Sequence, residues 1–173
     1  MADTTKQVVA SWEGRFYEDF EVGHIYRSAY GRTVTEMDNS MFTHLTMNTN
    51  PLHFDAHLAG QTKWKQILVN STFTLALVVG MSVPDVSQNA MANLGWEDIK
   101  LSNPVFVGDT LYCETEVLGK RESNTYPEAG IVQVRSRGIN QDGKVVIVFK
   151  RSVMVYKKDA HPGQDLFPQV EGE

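Results

Sequence analysis

Residues 65–81 read KQILVNSTFTLALVVGM, and no other stretch limits the fold as much. The run is apolar at nearly every position, lacks proline and is too long for an ordinary strand, which predicts a helix buried on most sides. Asn70 and Ser71 interrupt it early, where a helix start welcomes side chains that satisfy orphan backbone amides. Beyond it the period changes to two. In LYCETEVL (111–118), Leu111, Cys113, Thr115 and Val117 alternate with Tyr112, Glu114 and Glu116, the pattern of a half-buried strand. IVQVRSRGI and KVVIVFKRSVMVY flank NQDG, where Asp142 and Gly143 predict a hairpin turn. Val145 to Phe149 is apolar on both faces, as a strand interior to a sheet is. LGWEDIKLSNPVFVGDTL predicts one more strand, stopped by Asn103-Pro104 and followed by a turn at Gly108-Asp109.

Ahead of the long run, TVTEMDNSMFTHLT predicts a shorter helix, capped by Thr35 with Asp38 in its first turn. Met37, Met41, His44 and Leu45 fall at i, i+4, i+7 and i+8 and form its expected apolar face. The pattern stops at MNTNP, because the residue before a proline is pushed out of the α region, and a short turn of helix restarts around FDAHLA. The sum is an α+β chain with a mostly antiparallel sheet. A sheet wrapped on one helix, with an interior strand apolar on both faces, calls for further cover, so a partner subunit is expected.

At 173 residues the chain fits one domain, here 16–158, with an extension over 1–15 and a loosely held tail over 159–173. A net charge of −5 argues against nucleic acid or an acidic membrane surface as partner. Cys113 is the single cysteine, so no internal disulfide forms and a reducing, cytoplasmic compartment fits. The first residues lack the apolar core of a signal peptide, and no apolar run approaches the roughly 18 residues of a membrane span. Between Arg135 and Lys158 stand seven basic residues and one acid, a local balance of +6. They are either the polar faces of strands or a source of contacts for ligand phosphates.

MNTNPLHFDAH (47–57) concentrates the candidate chemistry. His53 and His57 have the i, i+4 spacing of metal ligands on a helix, with His44 or Asp55 as further donors, but Phe54 stands where H-E-x-x-H needs its glutamate, and no metal is expected. No phosphate-binding glycine loop and no G-x-S-x-G elbow occurs. Asn70-Ser71-Thr72 is a glycosylation sequon only in form, since it opens a buried helix. Trp12, Trp64 and Trp96 read as packing residues, Asp109 as a turn residue, and Cys113 as a small buried apolar group. Taken by themselves, Asn48 and His53 are equally the polar groups of a tight loop.

The arrangement Asn48-Thr49-Asn50-Pro51-Leu52-His53, with FDAHLA behind it, resembles the D-x-N-P-[LIV]-H signature of MaoC-like (R)-specific enoyl-CoA hydratases. The likeness extends to FYEDFEVGHIYRSAYGRTVTEMDNSMFTHLT, QILVNSTFTLALVVGM and LSNPVFVGDTL, and so covers most of 16–157. It implies a hot-dog fold, an antiparallel sheet wrapped round one long central helix, pairing into homodimers or assemblies of dimers. It implies addition of water across the double bond of a 2-enoyl thioester, with CoA arriving as part of the substrate and no other cofactor. His53 would be the acid–base group, since a histidine moves protons both ways near pH 7. Ser71, at the start of the central helix, would offer its amide to the enolate oxygen, with Asn70 and Asn50 as binding residues.

Asn48 stands where the family has aspartate, and a carboxamide cannot accept a proton. Three readings stay open: His53 acts alone with Asn48 orienting the water, Asp55 or Asp38 substitutes, or the site only binds an acyl thioester. Asn70, Ser71 and Thr72 suit a polar acyl group, which points to a small branched or dicarboxylic substrate of mesaconyl- or itaconyl-CoA type. A thioesterase on the same fold is the other enzyme reading and needs a carboxylate near the helix start.

Overall fold

In a computed structural model, the described residues are Val9, 11–163 and Pro168. The chain order is β1 (Ile25–Arg27), β2 (Arg32–Thr33), α1 (Glu36–Leu45), α2 (Ala56–Gln61), α3 (Ser71–Val86), β3 (Ala90–Leu101), β4 (Thr110–Glu122), β5 (Ala129–Asn140) and β6 (Val145–Tyr156). One antiparallel sheet runs β1-β4-β5-β6-β3, with β2 also on β4, and α3 lies against it. That is the α+β layout the periodicities call for. Most of the tail expected over 159–173, and most of the 1–15 extension, lies outside the described residues. Residues 11–15 are anchored: Trp12 donates its indole N–H to the Pro84 carbonyl (3.1 Å), and Arg15 pairs with Asp85 (3.1 Å).

The long helix starts later than its apolar run. Leu68 bridges to Phe106, Asn70 is the N-cap, and the helix then continues through Pro84 to Val86. Thr74, Val78, Ser82 and Val86, four apart, form its fully buried stripe. Beneath Val78 the sheet carries Gly138, where a Cβ would come within 2.7 Å of the Val78 methyl, so glycine lets helix and strand approach. The β5–β6 hairpin turns at Gly143 in the left-handed region (φ +76°), as the Asp-Gly pair predicts.

Strand register lays the core down in bands. One apolar cluster joins Val78 to Leu111, Cys113, Ile147 and Phe149, and a second joins Val86 to Val117, Val134 and Val153. Between them four elements each contribute a buried polar residue: Ser82 on α3, Thr115 on β4, Ser136 on β5 and Arg151 on β6. Thr115 and Ser136 share a hydrogen bond of 2.8 Å, and the Arg151 guanidinium donates to the Ser82 and Ser87 hydroxyls at 3.2 and 3.3 Å. Arg151 is 3% exposed, and its Nε has no protein partner. It lies against the last turn of α3, where the negative end of the helix dipole favours a cation. Burial nonetheless pulls its pKa down.

The outer face explains the basic stretch. Arg135 pairs with Glu116, Arg137 and Arg27 with Glu114, Lys150 with Asp98, and Lys157 with Glu122. The charges are therefore largely matched across strands. Glu114, expected on a solvated face, is buried at 8% exposure between its two arginines. At the sheet edge, β3 carries exposed Leu94, Trp96, Ile99 and Leu101.

Hydrogen bonds from Arg137 and Arg27 hold the Glu114 carboxyl below the ordinary glutamate value of 4.5. A carboxyl lowered on folding stabilises above its unfolded pKa and loses that contribution as pH falls through the folded one. Glu114→Gln should therefore melt below the parent protein at pH 7, and the gap should close as the pH drops below about 4, measured by thermal denaturation across pH.

Candidate active site

Helix α1 is capped as its sequence predicts: Thr35 and Asp38 form a reciprocal capping box. Burial tends to raise the Asp38 pKa, but hydrogen bonds from Thr35 and the Arg32 guanidinium outweigh it and hold the carboxyl below its ordinary value. The helix faces the opposite way to that expected. Met37, Met41 and Leu45 are exposed, and the buried residues are Asn39 and Thr43. The expected inward apolar stripe is thus corrected to an outward one, because the neighbour of α1 is the polar N-terminus of α3.

The end of α1 sets Asn48. The Asn48 N–H reaches back to the Thr43 carbonyl (3.0 Å) and the Met47 N–H to the His44 carbonyl (3.0 Å), a Schellman closure with Met47 in the left-handed region. The Asn48 side-chain oxygen accepts from the Asn50 N–H at 3.0 Å, and that of Asn50 accepts from the Leu52 N–H at 3.1 Å. These successive Asx turns account for the density of asparagine in the stretch. The Asn48 NH2 group has no protein acceptor among the described residues and is open to contacts outside the loop. Pro51 opens the 3₁₀ turn Pro51–His53, and Asp55 then caps α2 by accepting from the Leu58 N–H. His53 and His57 accordingly lie on different elements, and no group of three or more metal-ligating side chains gathers among the described residues. Asp38 and Asp55, considered as stand-ins for the missing aspartate, are each engaged in capping a helix.

His53 is buried, and its Nδ1 lies 2.8 Å from the Leu68 carbonyl. A carbonyl only accepts, so Nδ1 carries the proton and Nε2 is the basic nitrogen. Asn39 donates from Nδ2 to the His53 carbonyl at 2.7 Å and accepts the Asn70 N–H on Oδ1 at 2.9 Å. Asn70 in turn accepts from the Thr72 N–H (3.0 Å) and hydroxyl (2.7 Å), and its NH2 reaches Thr43 Oγ (3.3 Å). Of the first amides of α3, those of Asn70 and Thr72 are occupied, while that of Ser71 has no protein acceptor among the described residues.

Leu68 and Ser71 both line a cavity of about 240 Å³, with Trp64, Thr74, Leu101, Ser102, Asn103 and Val105 among its walls. The ammonium of Lys63 stacks 4.4 Å from the Trp64 ring. No lining residue carries a carboxylate. Asn39 links His53 to Asn70, and Ser71, the next residue, lines the cavity, of which His53 and Asn70 are not lining residues; Asn48 and Asn50 lie in the loop before His53. Asn39, Thr43 and the Leu68 carbonyl are not evident from motif spacing. The i, i+4 pair Asn39–Thr43, lying off the methionine stripe, is the one signal that singles out the first two.

The family model of the MaoC like domain matches residues 19–137. The chain belongs to the MaoC-like family. It is 38% identical over 146 residues to mesaconyl-CoA hydratase of Cereibacter sphaeroides, covering 84% of this chain and 42% of that protein. It superposes on the MaoC-like dehydratase from Rhodospirillum rubrum with a TM-score of 0.73 at 28% identity, covering 84% of this chain and 99% of that one. A Mycobacterium tuberculosis protein with a double hotdog fold superposes with a TM-score of 0.78 at 24% identity, covering 92% of this chain and 48% of that one. The fold is a hot-dog, and the chain spans about two fifths of the length of the first curated relatives it matches.

Asn70→Ala removes the α3 cap and strands the buried Thr43 hydroxyl and the Thr72 N–H, while the backbone N–H that Asn39 accepts is kept. It should cost about 1–3 kcal/mol, read as a lower urea midpoint with an unchanged slope.

Proposed function

We propose that this chain hydrates a small branched or dicarboxylic 2-enoyl thioester of CoA, or runs the reverse dehydration. The observation that carries the reading is the tautomer of His53: Nδ1 is committed to the Leu68 carbonyl, leaving Nε2 as base, and Leu68 and Ser71 share one cavity. Nε2 takes a proton from water as the water oxygen bonds to the β-carbon. The double-bond electrons move toward the thioester, whose oxygen gains charge and accepts from the Ser71 N–H. The enolate then collapses, and the α-carbon takes up the proton held by His53. Such a donor acts most strongly on charge that develops in the transition state. Asn48 holds the water through its NH2 group, and His53 is the sole acid–base residue.

The polar walls, Ser71, Thr74, Ser102 and Asn103, favour a substrate with a second polar group over a long alkyl chain, in line with the mesaconyl-CoA hydratase among its relatives. The absence of a carboxylate from those walls disfavours thioester hydrolysis. We also propose a homodimer formed along the exposed β3 edge, where the outer edge of the strand and apolar side chains await cover, working in the cytoplasm. The silent-binder reading draws its support from the Asn48 oxygen being tied into the loop.

Purified protein given crotonyl-, mesaconyl-, itaconyl- and octenoyl-CoA should consume enoyl absorbance without releasing free thiol, fastest on the branched and dicarboxylic members. His53→Ala should lose about a thousandfold in kcat. Thiol release would instead establish a thioesterase, and binding without turnover a silent binder. Sedimentation should show a dimer that Trp96→Lys converts to monomer.

A further inference from the structure

The inward face of α1 is unusual for a helix this short. It turns Met37, Met41 and Leu45 to the outside and buries Asn39 at 1% exposure. A buried carboxamide is costly unless its polar atoms find partners. Here each end finds one, and the two partners belong to the two halves of the site. Nδ2 holds the carbonyl of His53, the residue that carries the base, and Oδ1 holds the amide of Asn70, the residue next to the Ser71 donor. The carboxamide is planar and rigid, so both hydrogen bonds together leave little freedom between the 3₁₀ turn and the start of α3. By taking up the Asn70 N–H, Asn39 also makes Ser71 the first amide of α3 open to a ligand.

We propose that Asn39 is a positioning residue that sets the separation between the His53 base and the Ser71 amide. The proposal rests on the hydratase reading of the site. Base and oxyanion donor must address the β-carbon and the thioester oxygen of one substrate at once, and a displacement of about 1 Å can cost a hundredfold in rate. Asn39 touches neither atom, so its loss falls on kcat and leaves binding of the CoA thioester largely intact.

The test compares the full-length parent, Asn39→Ala and Asn39→Asp by steady-state kinetics on whichever enoyl-CoA the parent turns over best, by melting temperature, and by nitrogen-15 spectra of the His53 ring. Asp keeps an acceptor for the Asn70 N–H and loses the donor to the His53 carbonyl. Asn39→Ala should lower kcat about a hundredfold with KM within threefold, Asn39→Asp should fall between it and the parent, and the His53 spectrum should pass from one fixed tautomer to an averaged one. A folded Asn39→Ala protein with parental kcat and a parental ring spectrum would overturn the proposal. So would a fall in melting temperature without a change in either. If Asn39→Ala does not fold, Asn39→Asp decides by the same criteria. If the parent turns over no enoyl thioester, the hydratase reading fails by itself, and the ring spectra still decide whether Asn39 fixes His53.

Discussion

A helix that begins inside a protein has amide donors that water cannot reach, and the organisation of this chain follows from that constraint. The Asn70 backbone amide is buried where α3 starts, and an orphan donor there costs as much as a lost hydrogen bond. The partner is the carboxamide of Asn39, which requires α1 to lie across the start of α3 with its polar side inward. Once α1 lies there, its Schellman end delivers Asn48, the Asx turns deliver Asn50, and the 3₁₀ turn delivers His53 against the Leu68 carbonyl. Satisfying one helix terminus thereby gathers the residues proposed to do the chemistry.

Much of this was legible in the sequence. The strands of the second half, the Gly143 hairpin, the Thr35 cap and the Asn70 helix start all rest on local rules and appear where those rules place them. The α+β layout follows from a long apolar helix and a period-two second half, and the resemblance of the Asn48–His53 motif and its flanks named it a hot-dog. The motif singled out His53 and Asn48. What it could not tell is which atoms are spent on the loop itself, and the Asn48 oxygen proves to be one of them.

The misreadings share a cause, since each took an amphipathic pattern as evidence of what lies inside. On α1 the methionine stripe faces outward because the neighbouring element is a polar helix end rather than an apolar sheet. On the outer face of the sheet, the basic residues cluster in sequence while their acidic partners lie on other strands, far away in sequence. The first residues of the apolar run are not helical, since the Leu68 N–H goes to the Leu52 carbonyl, the Leu68 carbonyl meets His53 and the Val69 N–H goes to the Val105 carbonyl before α3 begins. Periodicity reports which residues avoid water in company, and it is silent on what that company is.

The polar band across the core bears on where the helix sits along its own axis. Were α3 to slide by one turn, a valine would come over Arg151, and Ser82 would be carried in among the valines and Phe149 or Val153. The Ser82 hydroxyl would then lie in an apolar layer and the guanidinium would lose that acceptor, whereas a uniformly apolar core would tolerate the slip at small cost. The bonds from Arg151 to Ser82 and Ser87 thus favour one axial position of α3. The Ser71 amide is at the other end of that same rigid rod, so how deeply it projects toward the cavity is set by residues more than two turns away that never meet a ligand.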